Sequence, residues 1–207
     1  MSLPYLLYPP SANAGAGKHP LIVFLHGAGE RGDDRALLKL WGPAKYLDRG
    51  GEITAYVFVP QCPKDRVWDD VIPELEQLFG VLLDSYPIDP DAVTLTGFSM
   101  GGYGTCNWAM QSPGNFTALA PVAGARLGDR YEPCVIKDKP IWMIYSTKDE
   151  AVPAKICDTF AEAMEKCSAN VRITRYEDAS HVQTADRAYL APDLYDWLLV
   201  QRREERA

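Results

Sequence analysis

The chain of 207 residues has no hydrophobic run long enough to cross a membrane. No wholly apolar run exceeds five residues, as in Leu21–Leu25, whereas a transmembrane helix needs about 20. The N-terminus also lacks the basic start and the apolar core that are typical of a signal peptide. We therefore expect no membrane insertion, and the expected location is the cytoplasm.

Positive charge is also scarce. The chain has 21 Lys and Arg residues against 28 Asp and Glu residues, a net charge of −7. A field of this sign repels phosphate backbones, so the sequence argues against nucleic acid as a partner. Apolar residues make up 47% and charged residues 24%, as in ordinary globular proteins. No linker-like stretch divides the chain, so we expect a single domain over residues 1–207.

Residues that ligate metals are few and badly spaced for that purpose. The cysteines form no C-x-x-C pair, and no histidine lies four residues from another. The five cysteines and three histidines of the chain are Cys62, Cys106, Cys134, Cys157, Cys167, His19, His26 and His181. An odd number of scattered cysteines indicates reduced, buried thiols rather than a disulfide framework. We therefore expect neither a metal nor a cofactor.

Short apolar runs alternate with helical patterns along the chain. The runs that predict strands are 21–25, 55–59, 92–96, 117–122, 140–145 and 171–176, and the patterns that predict helices are 69–86, 100–111, 153–167 and 190–203. This alternation indicates an α/β fold with a mostly parallel central sheet and helices on both faces. Ligands of such sheets bind outside the carboxyl ends of the strands.

A candidate nucleophile lies at the end of the third predicted strand. Residues 97–101 read Gly-Phe-Ser-Met-Gly, which is the G-x-S-x-G pattern. The pattern is short, but here it stands between a strand and a helix, as a nucleophile elbow does. The tight turn requires small residues at Gly97 and Gly101, and it would expose the hydroxyl group of Ser99. A glycine-rich turn with an uninvolved serine is the alternative.

A serine needs a base and an acid, which follow it in chain order in this architecture. His181 is the only histidine after Ser99, in a segment expected to be a loop after the last strand. Asp149 is the preferred acid because it follows the strand predicted over 140–145. Glu150 in the same loop and Asp178, three residues before the histidine, are the alternatives.

A glycine-rich segment, residues 26–32, follows the first predicted strand. Its backbone N–H groups are suited to bind an oxyanion together with the N–H group of the residue after the nucleophile. This assigns the oxyanion hole to Ala28 and Met100, with Gly27 or Gly29 as alternatives to Ala28. A phosphate-binding loop is disfavoured because no G-K-[ST] follows. His26 precedes the serine, so we expect it to shape this loop rather than to act as the base.

These segments resemble the α/β-hydrolase superfamily, and in particular its small carboxylesterase/phospholipase-type branch, which is related to acyl-protein thioesterases and dienelactone hydrolases. The resemblance rests on HGAGERG at 26–32, GFSMGG at 97–102, the loops of Asp149 and His181, PQCP at 60–63 with Trp68, and YDWLL at 195–199. It implies an α/β-hydrolase fold and a triad of Ser99, Asp149 and His181. Many relatives carry glutamine where this chain has Met100.

The resemblance and the residues together predict a cofactor-free serine hydrolase that cleaves esters of small carboxylic acids. A thioesterase, a lysophospholipase, a peptidase and a non-catalytic binding protein on the same fold are the alternatives. Segments 30–41 and 124–139, the latter with Tyr131, are candidates to cover the site, and Trp41, Trp68 and Met100 are candidate apolar walls. A small-molecule ester is the expected partner, and a homodimer is left open.

Overall fold

The central sheet positions every candidate site residue. A computed structural model describes residues 3–126, 128 and 132–203. Within them the sheet has seven strands in the order β1-β3-β2-β4-β5-β6-β7. Their bounds are β1 Tyr5–Tyr8, β2 His19–Leu25, β3 Tyr56–Pro60, β4 Ile88–Phe98, β5 Ala118–Val122, β6 Ile141–Ser146 and β7 Val171–Tyr176. The β1–β3 pair is antiparallel and the other pairs are parallel, which confirms the predicted fold class.

Six α-helices among the described residues cover the two faces of the sheet. They are α1 Gly42–Asp48, α2 Ile72–Ser85, α3 Met100–Gln111, α4 Ala154–Lys166, α5 His181–Tyr189 and α6 Asp193–Leu199. Successive side chains of a strand point to opposite faces. In β2, Leu21, Val23 and Leu25 join one apolar core with α2, α3 and α4. Ile22 and Phe24 join the other core, with α1, α5 and α6.

The register of the sheet brings the predicted loops together. Leu25 pairs with Gly97, so the glycine-rich segment after β2 begins beside the turn after β4. Ser146 pairs with Tyr176, so the segments after β6 and β7 also leave the sheet side by side. Parallel pairing therefore places segments from distant parts of the chain at one edge, the carboxyl ends of the strands.

Four elements differ from the sequence-based expectation. β1 was not predicted, because its four residues are only half-buried and gain their order from pairing with β3. α1 was not predicted either. The segment before α5 was expected to be a loop through His181, but the helix begins at that residue, capped by Ser180 and Gln183. The final helix is also shorter than predicted and ends at Leu199.

The prediction of five reduced thiols is wrong for two of the cysteines. Cys134 and Cys167 form a disulfide, with their Cα atoms 5.1 Å apart. It joins the 3-10 turn Pro133–Ile136 to the end of α4. The two cysteines are 33 residues apart, and separation along the chain does not reveal that the fold brings them within disulfide range. Cys62, Cys106 and Cys157 are buried and free, as predicted.

Within the described ranges, none of the helices combines the length and the apolar character that a membrane span requires.

Candidate active site

The candidate nucleophile lies in a strained turn between β4 and α3. Ser99 has φ 59° and ψ −118°, in a backbone region that residues other than glycine rarely adopt. The neighbouring glycines make the turn sterically possible. A Cβ atom at Gly97 would lie 2.2 Å from the carbonyl oxygen of Gly101, and one at Gly101 would lie 1.8 Å from the carbonyl oxygen of Leu25. The turn therefore holds Ser99 at the tip, at the N-terminus of α3.

The structure brings Ser99, His181 and Asp149 into one chain of hydrogen bonds. The Oγ atom of Ser99 lies 2.9 Å from Nε2 of His181, and Nδ1 of the same ring lies 2.7 Å from Oδ2 of Asp149. The imidazole ring also packs on the ring of Phe98, with centroids 4.7 Å apart. The last residue of β4 therefore supports the ring of His181, a contact that the sequence analysis did not anticipate.

Asp149 is held as a carboxylate. Its side chain is 1% exposed, and Oδ1 accepts hydrogen bonds from the N–H groups of Ala151 and Val152. Burial raises the pKa of Asp149, but the hydrogen bonds from His181, Val152 and Ala151 outweigh it and hold the pKa below its usual value. An ionised Asp149 can only accept, so Nδ1 of the imidazole carries the proton and Nε2 is free to accept from the serine hydroxyl group.

The two alternative acids do not contact the ring of His181 through hydrogen bonds. Glu150 accepts the backbone N–H of His181 through Oε2, at 3.1 Å. Asp178 is exposed and forms two hydrogen bonds with Arg187. The three acidic residues near the histidine therefore have separate contacts: Asp149 with its ring, Glu150 with its backbone and Asp178 with a neighbouring arginine.

Both predicted oxyanion donors are the first residues of helical turns. Ala28 opens the 3-10 turn Ala28–Glu30, and Met100 opens α3. An N–H group at the first helical position has no acceptor inside its own helix. Neither group donates to another backbone carbonyl within the described part of the chain. Both N–H groups thus lack a backbone acceptor, and their role in an oxyanion hole stays a prediction.

His26 has a structural role, as predicted from its place before the serine. Its Nδ1–H donates to the carbonyl oxygen of Gly27, and its Nε2 accepts the N–H of Cys62. Burial lowers the pKa of His26 to about 4, so the ring is neutral at pH 7. The indole N–H of Trp68 donates to the carbonyl oxygen of His26, and the side-chain amide of Gln61 donates to that of Glu30. This network fixes the glycine-rich segment from the side of β3.

A cavity of about 370 Å³ opens beside Met100. Trp68 and Met100 belong to its wall, as expected, and Arg126, Asp69 and Asp70 add charged groups of both signs. Trp41 was expected at the wall but is not among the lining residues; its ring packs against Phe98.

The two segments that were candidates to cover the site are described to different extents. In segment 124–139, Arg126 and Gly128 line the cavity, whereas residues 127 and 129–131, with Tyr131, lie outside the described residues. In segment 30–41, the structure has a 3-10 turn at Arg35–Lys39.

One group with metal-ligand chemistry occurs among the described residues, Glu132 with Cys134 and Cys167, and its two sulfur atoms are bonded to each other.

The mostly parallel sheet and the strained serine between strand and helix define an α/β-hydrolase fold. The hydrogen-bonded residues Ser99, Asp149 and His181 follow one another along the chain in the order that is typical of this fold. Residues 61–197, more than half of the chain, match the Dienelactone hydrolase family. The chain belongs to this family, and the resemblance drawn from the sequence is confirmed.

Proteins similar to this chain include an esterase and other hydrolases. The crystal structure of a thermostable esterase is 30% identical, with a TM-score of 0.80, and the match covers 97% of this chain and 60% of that chain. An S-formylglutathione hydrolase of Paracoccus denitrificans (strain Pd 1222) is 37% identical over 67 residues, 31% of this chain and 23% of that protein. A poly(3-hydroxyoctanoate) depolymerase of Pseudomonas fluorescens is 28% identical over 128 residues, 52% of this chain and 45% of that protein. The matches span less than half the length of either curated relative.

Proposed function

We propose that the protein is a serine hydrolase that cleaves small carboxylic esters without a cofactor. The observation that carries the proposal is the chain of hydrogen bonds from Ser99 through His181 to Asp149. Ser99 lies on a turn in which the positions of Gly97 and Gly101 have no room for a side chain. A serine hydroxyl is a weak nucleophile until a base takes its proton. The Nε2 atom of His181 lies 2.9 Å from the serine oxygen, close enough to take that proton.

The reaction then follows in two halves. His181 takes the proton of Ser99 as the serine oxygen attacks the acyl carbonyl carbon, and the N–H groups of Ala28 and Met100 stabilise the oxyanion. The ester C–O bond breaks, the alcohol leaves with the proton from Nε2, and an acyl-serine remains. Water, deprotonated by the same nitrogen, attacks this ester, the bond between the acyl carbon and the serine oxygen breaks, and the serine regains a proton from Nε2 as the carboxylic acid leaves. Asp149 holds the ring in the correct tautomer and stabilises the imidazolium.

The cavity beside Met100 offers space for one side of the ester. Its apolar wall of Trp68 and Met100 suits a short acyl or alkyl group, and its volume of about 370 Å³ is at the small end for ligand sites. We therefore expect a preference for short acyl chains.

Thioester hydrolysis is the second candidate activity. It is favoured by the similarity to the S-formylglutathione hydrolase of Paracoccus denitrificans, whose name specifies an S-acyl substrate. The same triad would attack a thioester carbonyl, and the thiol would leave in place of the alcohol.

The experiment is a panel of p-nitrophenyl esters of increasing acyl length beside matched thioesters, with wild-type protein and Ser99→Ala. We expect turnover of acetate and butyrate esters, a decline with longer chains, and a loss of at least about 10³-fold in the variant. Equal rates for wild type and variant would exclude the serine mechanism. A wild type that turns over neither esters nor thioesters would favour the non-catalytic binding protein.

The cytoplasmic location stays a prediction from the N-terminal sequence. The Cys134–Cys167 disulfide argues against it, because disulfides persist in oxidising compartments and are rare in the cytosol. Trapping the thiols with iodoacetamide in intact cells, followed by mass spectrometry, tests the prediction. A reduced pair in the native host would support the cytoplasm, and an oxidised pair would contradict it.

A further inference from the structure

The imidazole ring of His181 is held at its two nitrogen atoms by hydrogen bonds. Nε2 lies 2.9 Å from Oγ of Ser99, and Nδ1 lies 2.7 Å from Oδ2 of Asp149. The donor and acceptor sites of an imidazole are its ring nitrogens, in the plane of the ring. These contacts fix the two nitrogens, but they do not prevent the ring from tilting about the line that joins them. A contact with the face of the ring is needed for that.

Phe98 makes this face contact. The centroids of the phenyl and imidazole rings are 4.7 Å apart, and their planes are inclined by only 34°, so the phenyl ring covers one face of the imidazole. Phe98 is 4% exposed, and it is the last residue of β4, directly before Ser99 in the chain. The strand that leads to the candidate nucleophile therefore also restrains the tilt of the ring of His181.

Phe98 is itself braced from the side of α1. Trp41, the residue before α1, packs its ring on Phe98, with the centroids 5.9 Å apart. The ammonium group of Lys45 lies 4.4 Å from the centroid of the Trp41 ring, and it forms an ion pair with Asp186 in α5. His181 is the first residue of α5. Lys45 therefore connects the brace to the helix that carries His181.

The two hydrogen bonds of the ring do not both persist through the proposed reaction. Before acylation, the hydroxyl group of Ser99 donates to Nε2 of His181. Once the alcohol has left with the proton from Nε2, neither that nitrogen nor the oxygen of the acyl-serine carries a hydrogen atom, so the two cannot form a hydrogen bond. During deacylation the ring keeps its hydrogen bond to Asp149 and its contact with Phe98, while Nε2 must face the attacking water.

We infer that Phe98 is a positioning residue for His181 whose contribution is concentrated in deacylation, and that Trp41 acts through Phe98. This inference rests on the proposed hydrolase function. In acylation, two hydrogen bonds already hold the imidazole ring. In deacylation, one hydrogen bond and the face contact hold it, so loss of the phenyl ring slows the attack of water more than the attack of Ser99.

The test compares Phe98→Leu with wild type on saturating p-nitrophenyl acetate. The ratio kcat/KM reports the steps up to acylation. The deacylation rate constant is kcat divided by the acylated fraction of the protein at steady state, which is measured by acid quench and mass spectrometry of the intact chain. We expect Phe98→Leu to lower the deacylation rate constant about 10- to 100-fold, since a misplacement of 1 Å costs up to about 10²-fold. Its kcat/KM should stay within about threefold of wild type, and its acylated fraction should rise.

Trp41→Leu tests the brace. It should lower the deacylation rate constant by about three- to tenfold, less than Phe98→Leu because the phenyl ring remains. In the double variant, the loss of Trp41 should add less than about twofold to that of Phe98, since residues that act as one unit are not additive. Trp41 is only half-buried, so Trp41→Leu carries the test alone if Phe98→Leu does not fold.

The matched control is Phe116→Leu, the same substitution in the other apolar core. Phe116 is fully buried, and its ring packs on those of Phe79 and Trp108 rather than on His181. Per folded protein, measured by circular dichroism, both of its rate measurements should equal those of wild type. An unchanged deacylation rate constant in Phe98→Leu and Trp41→Leu would overturn the inference. Equal losses in kcat/KM and deacylation, or an equal loss in Phe116→Leu, would also overturn it. An inactive wild type would instead overturn the proposed function.

Discussion

Asp149→Asn is the substitution that examines the proposed triad most closely. In the wild type, Oδ1 of Asp149 accepts the N–H groups of Ala151 and Val152, and Oδ2 accepts Nδ1–H of His181. In the variant, the same two N–H groups would hold the amide oxygen in place and turn the NH₂ group toward the ring. The ring must then accept at Nδ1 and carry its proton on Nε2, where it cannot take the proton of Ser99.

The expected loss in kcat is three to four orders of magnitude. The equivalent change in a serine protease costs about 10⁴-fold, and each factor of ten corresponds to about 1.4 kcal/mol in the activation barrier. The contacts of the neighbouring acids give no reason to expect rescue. Glu150 is engaged with the backbone N–H of His181, and Asp178 is 72% exposed and paired with Arg187.

The assay is kcat/KM for p-nitrophenyl acetate at pH 8, with circular dichroism to verify folding. Glu150→Gln and Asp178→Asn are the matched controls, and each should cost less than about tenfold because neither side chain contacts the ring. A loss below tenfold in Asp149→Asn, or a greater loss in Asp178→Asn, would refute the assignment of the acid.

Three further predictions concern stability. Gly101→Ala should prevent folding or lower Tm steeply, because its Cβ atom would lie 1.8 Å from the carbonyl oxygen of Leu25. The control, Gly80→Ala in α2, meets no atom within 4 Å and should stabilise the protein by about 1 kcal/mol. Equal Tm values for the two variants would contradict this prediction. Reduction of the Cys134–Cys167 disulfide should lower the free energy of unfolding by about 2–4 kcal/mol, measured in urea with and without dithiothreitol, and no change would contradict it. Because burial lowers the pKa of His26 from 6.5 to about 4, the stability it contributes is complete above pH 6.5 and is lost as the pH falls toward 4. Wild type should therefore lose about 3 kcal/mol more than His26→Gln over that range, and parallel curves would be inconsistent with a buried neutral ring.

Local signals explain why much of the sheet was predictable. β2 is a nearly unbroken apolar run because both of its faces are covered. The elbow around Ser99 was recognisable because steric crowding admits only glycine at positions 97 and 101, two residues before and after the serine, which leaves a pattern in the sequence. His181 followed from chain order alone. The structure brings these two residues and Asp149 together, and their catalytic roles stay a prediction.

The features that the sequence did not reveal depend on contacts between distant parts of the chain. β1 is ordered by its pairing with β3, and the Cys134–Cys167 bond depends on how the turn after β5 meets the end of α4. Nothing in the local pattern marks Glu30 as buried, since glutamate is seldom buried. The start of α5 did have a local signal, because Ser180 and Gln183 have the spacing of a capping box.

Covalent labelling of Ser99 is the most direct test of the proposed triad. The protein is mixed briefly with a fluorophosphonate or a slowly deacylating p-nitrophenyl ester, and the adduct is located by mass spectrometry of the intact protein and its peptides. We expect one adduct per chain, on Ser99, that is absent from Ser99→Ala and forms at least about 10³-fold more slowly in His181→Ala. A folded wild type that stays unlabelled, or an adduct on another residue, would contradict it.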